Sequence, residues 1–448
     1  METEAAVRMP ESPPCNVNRM PSRWVLLTFL CLALVVRGRM MLGNLDSLEK
    51  DPDAYRDAAW SIYFERTLGL WNESSGAIEP TATRPPLYPL LLSGMYFLQF
   101  TPDAPGIGLL HVLLGTATVW IVWRLGLAWR LPPAASLLAA ALVMVDPILL
   151  NQSVLAMTET LATLLTALAL LGLTRAGQDN LLRWSGLAGA VLGLCVLCRP
   201  AFLVWLLAAV VLFPWLAAGS GRFARAAAMV AGAAAVLAPW AIRNELVFGR
   251  PIVTTTHGGY TLLLANNPEF YAYLQSAPWG SVWDAHEFNE RWRSEQQSQG
   301  SALDPAAREL ESDRRAYAAA WENIGRDPLV FAYSCLARLG RLWNVLPHQT
   351  SPDESASRHG LRFAVAIWYT LELLLAAAGI AYLRRRLLLS PWAWGTILVV
   401  SMSAVHTVFW TDMRMRAPLM VVVALLVTQG ALVLATRRQA SSAAAHTT

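Results

Sequence analysis

The chain has 448 residues, 55% of them hydrophobic and only 15% charged, with a formal net charge of +4. At a mean hydropathy of +0.40 this composition excludes a set of water-soluble domains and describes an all-α polytopic membrane protein, in which one bilayer bundle uses the whole length. The small positive charge comes from residues flanking apolar runs, so no nucleic-acid partner is indicated.

Of the 35 basic residues only Lys50 is lysine. Being arginine is therefore uninformative here, whereas lying on the wrong side of the membrane is informative. Cys15, Cys31, Cys195, Cys198 and Cys335 fall in a tail, in apolar runs and in one amphipathic stretch, so no disulfide framework is readable. The CxxC of Cys195 and Cys198 lies inside a hydrophobic span and reads as packing.

Residues 1–23 form a basic tail before the first apolar run. No small-x-small cleavage pattern follows, so the run is an uncleaved first span, 24–42. With the tail inside the cell, residues 43–105 form a first extracytoplasmic loop. Spans 107–127, 134–149 and 158–174 follow, with Arg130, Arg175 and Arg183 on the inner side. Spans 184–197 and 201–218 enclose the outside tripeptide Cys198, Arg199, Pro200, and span 226–242 leads out again. Residues 24–243 thus form an N-terminal transmembrane module.

The second extracytoplasmic region, 244–360, carries turns at Gly258, Gly259 and Asn266 to Pro268, a surface helix from Asp304 to Arg326, and an interfacial amphipathic helix over 328–347. Spans 361–383, 391–409 and 417–435 complete about ten transmembrane helices, and 436–448 is a second cytoplasmic tail. No solenoid period and no inverted repeat is legible.

The polar groups that break the pattern share the outer side: Asp51, Asp53, Tyr55 and Arg84 in the first loop, then Glu159, Arg199, Arg243, His257 and the group Asp412, Arg414, Arg416. Such a face suits a charged ligand at the membrane surface. Each residue also has a purely structural reading. Asp51 caps a short helix with Pro52 at its first position, Arg84 anchors at the interface before Pro85 and Pro86, Glu159 favours a helix N-terminus, and Asp412 pairs with its neighbouring arginines. Mid-span positions read as apolar apart from small or weakly polar residues.

In order along the chain, Asp51 with Tyr55, RPPLYP, the glutamate of MTET, CRP, PWAIRN, GGYTLLLANNP and TDMRMRAP resemble the lipid-linked sugar transferases. The likeness spans roughly residues 24–435. It points to the bacterial GT-C group that includes protein O-mannosyltransferases and the aminoarabinose transferase of lipid A. The resemblance implies a GT-C bundle in a bacterial-type inner membrane, with both termini cytoplasmic and the site outside. It implies Asp51 as general base, with Asp53 as competitor. Arg84, Arg414 and Arg416 would hold the phosphate of a polyprenyl-phosphate sugar donor. Tyr55, Tyr88, Glu159, Arg199, Arg243, His257, Asn266 and Asp412 would line the substrate cavity. Some members place an acidic residue, suited to ligating a metal, just before the basic one; this chain has Thr83, so a divalent metal is left open but not indicated and no cofactor is specified.

The expected activity is transfer of a sugar from that donor to a lipid, glycan or protein acceptor. One carboxylate and a phosphate clamp suffice for inversion, while Asp53 leaves a retaining reaction open. An envelope oligosaccharide polymerase or ligase is the alternative. A transporter or flippase would need polar groups at mid-span depth.

Overall fold

The computed structural model describes residues 20–73, 75–278, 281, 283–300, 303–348 and 354–445. Helix α1 (Arg23–Leu42) begins where the Ser22 hydroxyl accepts the Val25 N–H. The chain then passes through α2 (Leu45–Leu48), α3 (Tyr55–Phe64), an antiparallel hairpin of β1 (Gly69–Asn72) and β2 (Ala77–Pro80), and α4 (Leu87–Phe97). The hairpin is a small addition to the all-α expectation. Gly69 is needed in it, because a Cβ there would lie 2.7 Å from the Glu79 carbonyl oxygen across the strands.

The bundle continues with α5 (Ala104–Ala128), α6 (Pro133–Val145), α7 (Pro147–Gln152), α8 (Glu159–Gln178), α9 (Leu182–Cys198), α10 (Phe202–Leu216) and α11 (Arg222–Phe248). A second polar region holds α12 (Gly258–Ala265), α13 (Pro268–Ser276), α14 (His286–Gly300), α15 (Pro305–Arg326) and α16 (Pro328–Leu342). Helices α17 (Ala356–Leu383), α18 (Trp392–Val408) and α19 (Met420–Ala445) close the bundle, with an irregular 3-10 segment at Met413–Leu419.

Each of the ten apolar runs coincides with a helix. Among the described residues six helical stretches are long and apolar enough to cross a bilayer by length and composition. The remaining four runs are α6, α9, α10 and α18, with 13 to 17 residues. At 1.5 Å per residue they reach only about 20–26 Å. The third run stops early because Asp146 leaves the helix at ψ 125° and its carboxylate caps α7, which opens on Pro147.

Small residues let the helices approach. A Cβ on Gly189 of α9 would sit 1.9 Å from the Met229 carbonyl oxygen of α11, and one on Gly430 of α19 would sit 2.0 Å from that of Leu375 on α17. Contacts this close substitute for a hydrophobic drive that lipid does not provide. The enclosed core includes Trp205, Phe213 and Trp394, the last two stacked at 5.9 Å.

Two expectations are corrected. Helix α16, expected to lie at the interface with its arginines in water, turns Leu329 and Leu336 outward, but Arg338 and Arg341 are buried, Arg338 donating to the carbonyls of Ala265 and Thr407. Mid-bundle positions are not uniformly apolar either: Arg37, Asp146, Glu372 and Arg416 are all buried. Isolated charges inside long apolar runs are masked by their neighbours in any averaged hydropathy.

Candidate active site

The turn after α2 splits two aspartates that are two residues apart. Ala54 adopts a left-handed conformation, φ 55°, which is uncommon outside glycine and asparagine and reverses the chain before α3. Asp51 consequently faces the helix start, where its carboxylate accepts the N–H groups of Tyr55 at 2.9 Å and Arg56 at 2.7 Å. The cap expected from sequence is present, but the helix begins at Tyr55 rather than at Pro52. Burial raises the Asp51 carboxyl above the ordinary range, and its two N–H donors oppose that shift.

Asp53 faces the other way. Its carboxylate lies 2.9 Å from Nη2 of Arg84, and Nε of Arg84 donates to its backbone carbonyl at 3.1 Å. Arg84 leaves a turn that is braced from two sides. Arg243 of α11 donates to the carbonyls of Thr81 and Leu68. From α15, Glu309 accepts the Ala82 N–H at 2.8 Å and the hydroxyls of Thr81 and Thr256. One helical turn on, Asp313 accepts the Gly259 N–H at 2.7 Å. Gly258 and Gly259 admit α15, since a Cβ on either would strike Tyr317 or Asp313. Burial raises the carboxyls of both Glu309 and Asp313.

A second cluster forms where α8 begins. Glu159, 1% exposed at its side chain, lies 3.3 Å from Nη1 of Arg199 and 3.9 Å from Nε of Arg414. Arg414 also bonds Asp412, whose carboxylate accepts its N–H at 2.9 Å and lies 3.1 Å from its Nε. Tyr55 and Tyr88 back this cluster, edge to face at 5.2 Å. Behind them the Tyr88 hydroxyl meets Nε2 of His111 at 2.9 Å, and Nδ1 of His111 lies 3.0 Å from the Ser153 carbonyl. A carbonyl only accepts, so Nδ1 carries the proton and Nε2 accepts from Tyr88. Burial and the Asp53 charge raise the Tyr55 hydroxyl, which keeps it protonated.

The structure therefore brings Asp53, Tyr55, Arg84, Glu159, Arg199, Asp412 and Arg414 to one end of the bundle, beside a cavity of about 810 Å³ lined in part by Asp53, Arg84, His257, Tyr260, Glu309 and Asp313. Burial and the charge of Arg84 push His257 down to about 4. Of the sequence candidates, Asp53, Arg84 and His257 are among the residues lining the cavity, whereas Arg416, Asn266 and Arg243 hold the scaffold away from it. Arg416 is buried over the Tyr369 ring at 4.3 Å and donates to the carbonyls of Leu342 and Asn344. Asn266 is buried against the carbonyls of Leu262 and Val408, and Arg243 acts as a brace. Among the described residues no three His, Cys, Asp or Glu side chains converge as metal ligands.

Glu309, Asp313 and His111 were missed in the sequence. The two carboxylates occupy i and i+4 of a charged helix that reads as a solvated face, and His111 is one polar group in an apolar span.

Residues 83–242, a little over a third of the chain, match the family model described as dolichyl-phosphate-mannose-protein mannosyltransferase. Arg84, Glu159 and Arg199 lie inside that stretch. No curated protein sequence matches the chain. Among solved structures it is similar to the archaeal oligosaccharyltransferase AglB from Archaeoglobus fulgidus, in complex with an inhibitory peptide and a dolichol-phosphate. The TM-score is 0.53 at 17% identity, over 95% of this chain and 52% of that one. The apo form of the Archaeoglobus fulgidus oligosaccharyltransferase gives 0.52 at 15% identity, over 91% and 50%. ArnT from Cupriavidus metallidurans bound to undecaprenyl phosphate gives 0.40 at 14% identity, over 91% and 77%. The chain spans about half the length of the archaeal enzymes, and the fold assignment rests on them. This chain accordingly has the fold of the GT-C membrane glycosyltransferases, an all-α multi-pass bundle with its charged cluster at one end.

Proposed function

We propose that the protein is a membrane glycosyltransferase that moves a sugar from a polyprenyl-phosphate carrier to a hydroxyl of a lipid, glycan or protein acceptor. The observation that carries this reading is the placement of Asp53 on Arg84 at the cavity wall, with Arg199 and Arg414 in the adjoining cluster. In the reaction the acceptor oxygen attacks the anomeric carbon and its proton passes to a carboxylate. The bond from that carbon to the phosphate oxygen breaks, and the electron pair leaves with the phosphate. Guanidiniums stabilise the charge that develops there, most effectively in a water-poor site.

Asp53 is the better base of the two aspartates. Its carboxylate lines the cavity, whereas that of Asp51 is committed to two backbone N–H groups. Arg84 exchanges part of its bond to Asp53 for the donor phosphate, which frees the carboxylate for the acceptor proton. Glu309 and Asp313, which also line the cavity, are bonded to backbone N–H groups, and Asp53 beside the Arg84 clamp is the carboxylate suited to an inverting displacement. Glu159 holds Arg199 and Arg414 in register. The site faces outward from a bacterial-type inner membrane, with both termini cytoplasmic, because the arginine-rich connections belong inside.

Binding of a labelled polyprenyl phosphate to the purified protein tests this reading. Arg84→Ala should weaken that binding about 10- to 100-fold, the scale of one lost charge-assisted hydrogen bond. Unchanged binding would return Arg84 to an anchoring role.

A further inference from the structure

Beneath the charged cluster the bundle encloses a guanidinium that the transfer chemistry leaves unused. Arg37 of α1 is 2% exposed, and its Nη2 donates to the Val143 carbonyl at 3.4 Å. Its Nε has no hydrogen-bond partner among the described residues, and no described carboxylate oxygen lies within 4.0 Å to pair with it. Asp146 is near enough for its charge to be felt; its Oδ1 accepts from the Leu149 N–H and the Tyr369 hydroxyl, while its Oδ2 is buried without a hydrogen-bond partner and lies beyond 4.0 Å of the guanidinium. Room for Arg37 is built in: a Cβ on Gly115 would fall 2.4 to 2.7 Å from the guanidinium atoms.

A small cavity of about 10 Å³ lies beside Arg37, lined also by Gly115, Thr118, Gln152 and Thr160. Gln152 and Thr160 are 5% and 6% exposed, and Oε1 of Gln152 and Oγ1 of Thr160 have no partner in the described structure. The space is that of about one water-sized sphere. Arg37 can only donate, the Thr160 hydroxyl can donate, and the Gln152 amide can present either end, since its oxygen and nitrogen are interchangeable by rotation. The lining is thus able to turn three donors towards a cavity beside a guanidinium that has no carboxylate within 4.0 Å.

We propose that this cavity binds one monatomic anion of the chloride class. A neutral water would fill the hydrogen bonds but bring no charge to a guanidinium that has no carboxylate within 4.0 Å, and a tetrahedral oxyanion is too large for the space. The site also reaches the catalytic end. Thr160 directly follows Glu159, and the Thr163 hydroxyl bonds the Glu159 carbonyl at 2.8 Å. An anion held by Thr160 steadies the first turn of α8, on which the Glu159 contacts to Arg199 and Arg414 depend.

Thermal unfolding of the full chain in detergent, titrated with sodium chloride against sodium gluconate at constant ionic strength, tests the proposal. The expected result is a saturable rise in melting temperature with chloride, reproduced by bromide and absent with gluconate or sulfate. Arg37→Gln should abolish the response, and Thr160→Val should move its midpoint about tenfold higher, the scale of one hydrogen bond. Should Arg37→Gln fail to fold, Thr160→Val and Gln152→Leu carry the test alone. Identical curves in chloride and gluconate, or a full response in the folded variants, would overturn the proposal and leave a water at the site. None of these readouts requires the transferase reading to be correct.

Discussion

Arg84 holds Asp53 at two points, the carboxylate at 2.9 Å and the backbone carbonyl at 3.1 Å, so the guanidinium and the carboxylate reach the cavity as one unit. The left-handed turn at Ala54 makes this possible by sending Asp51 and Asp53 in opposite directions. The two aspartates therefore predict opposite phenotypes. Asp53→Asn should lower turnover about 10²- to 10⁴-fold, the usual value of general-base catalysis, with little loss of stability. Asp51→Asn should keep most activity and cost about 1 kcal/mol of stability at most, as a weakened helix cap does. Initial rates and melting curves on both variants decide the matter; a dead Asp51→Asn beside an active Asp53→Asn would reverse the assignment.

Buried Glu159 of α8 pairs with the part-buried Arg199 of the α9–α10 turn. Removing one partner leaves the other charge unpaired, at a cost of about 3–5 kcal/mol. Glu159→Ala and Arg199→Ala should each destabilise strongly, and the double variant should be less unstable than the sum of the two. Chemical denaturation of the four proteins measures that coupling. Strict additivity would mean that the 3.3 Å contact contributes nothing.

Glu309 is predicted to act on the site through the turn that carries Arg84. Glu309→Ala should raise the donor KM about tenfold or more, because Ala82 and two threonine hydroxyls lose their acceptor. Glu309→Gln retains an acceptor oxygen and should recover much of the loss. Equal KM values in wild type and Glu309→Ala would show that the turn holds its shape without α15.

His257 gives a pH signature. Burial and Arg84 lower it to about 4 from an ordinary value of 6.5, so the folded protein prefers the neutral ring. A base lowered on folding contributes stability that is complete above about pH 6.5 and lost as pH falls towards 4. Melting temperature should therefore decline over that interval, and less steeply in His257→Gln. Parallel declines in the two proteins would assign the pH response to other groups.

Much of the bundle was legible because apolar runs of helical length leave few alternatives, and each of the ten became a helix. The short ones, such as α6 ended by Asp146 and Pro147, show that the length of an apolar run does not fix the length of its helix. Among site residues, Arg84, Glu159, Arg199 and Arg414 stood out because they sit at helix ends in an apolar chain. Arg416 stood out for the same reason, yet the 3-10 segment turns it under Tyr369. The choice between Asp51 and Asp53 depends on the backbone angle of Ala54, which composition does not encode. Glu309 and Asp313 acquire meaning only once α15 meets the Gly258–Gly259 turn.

The central claim is transfer from a polyprenyl-phosphate sugar. Mass spectrometry of lipid-linked sugars and envelope glycans should compare cells with the wild-type gene, a deletion, and Asp53→Asn at verified expression. Accumulation of one polyprenyl-phosphate sugar, with loss of one modified acceptor, is expected in both the deletion and the variant. Unchanged lipid-linked sugars and acceptors in the deletion would contradict it.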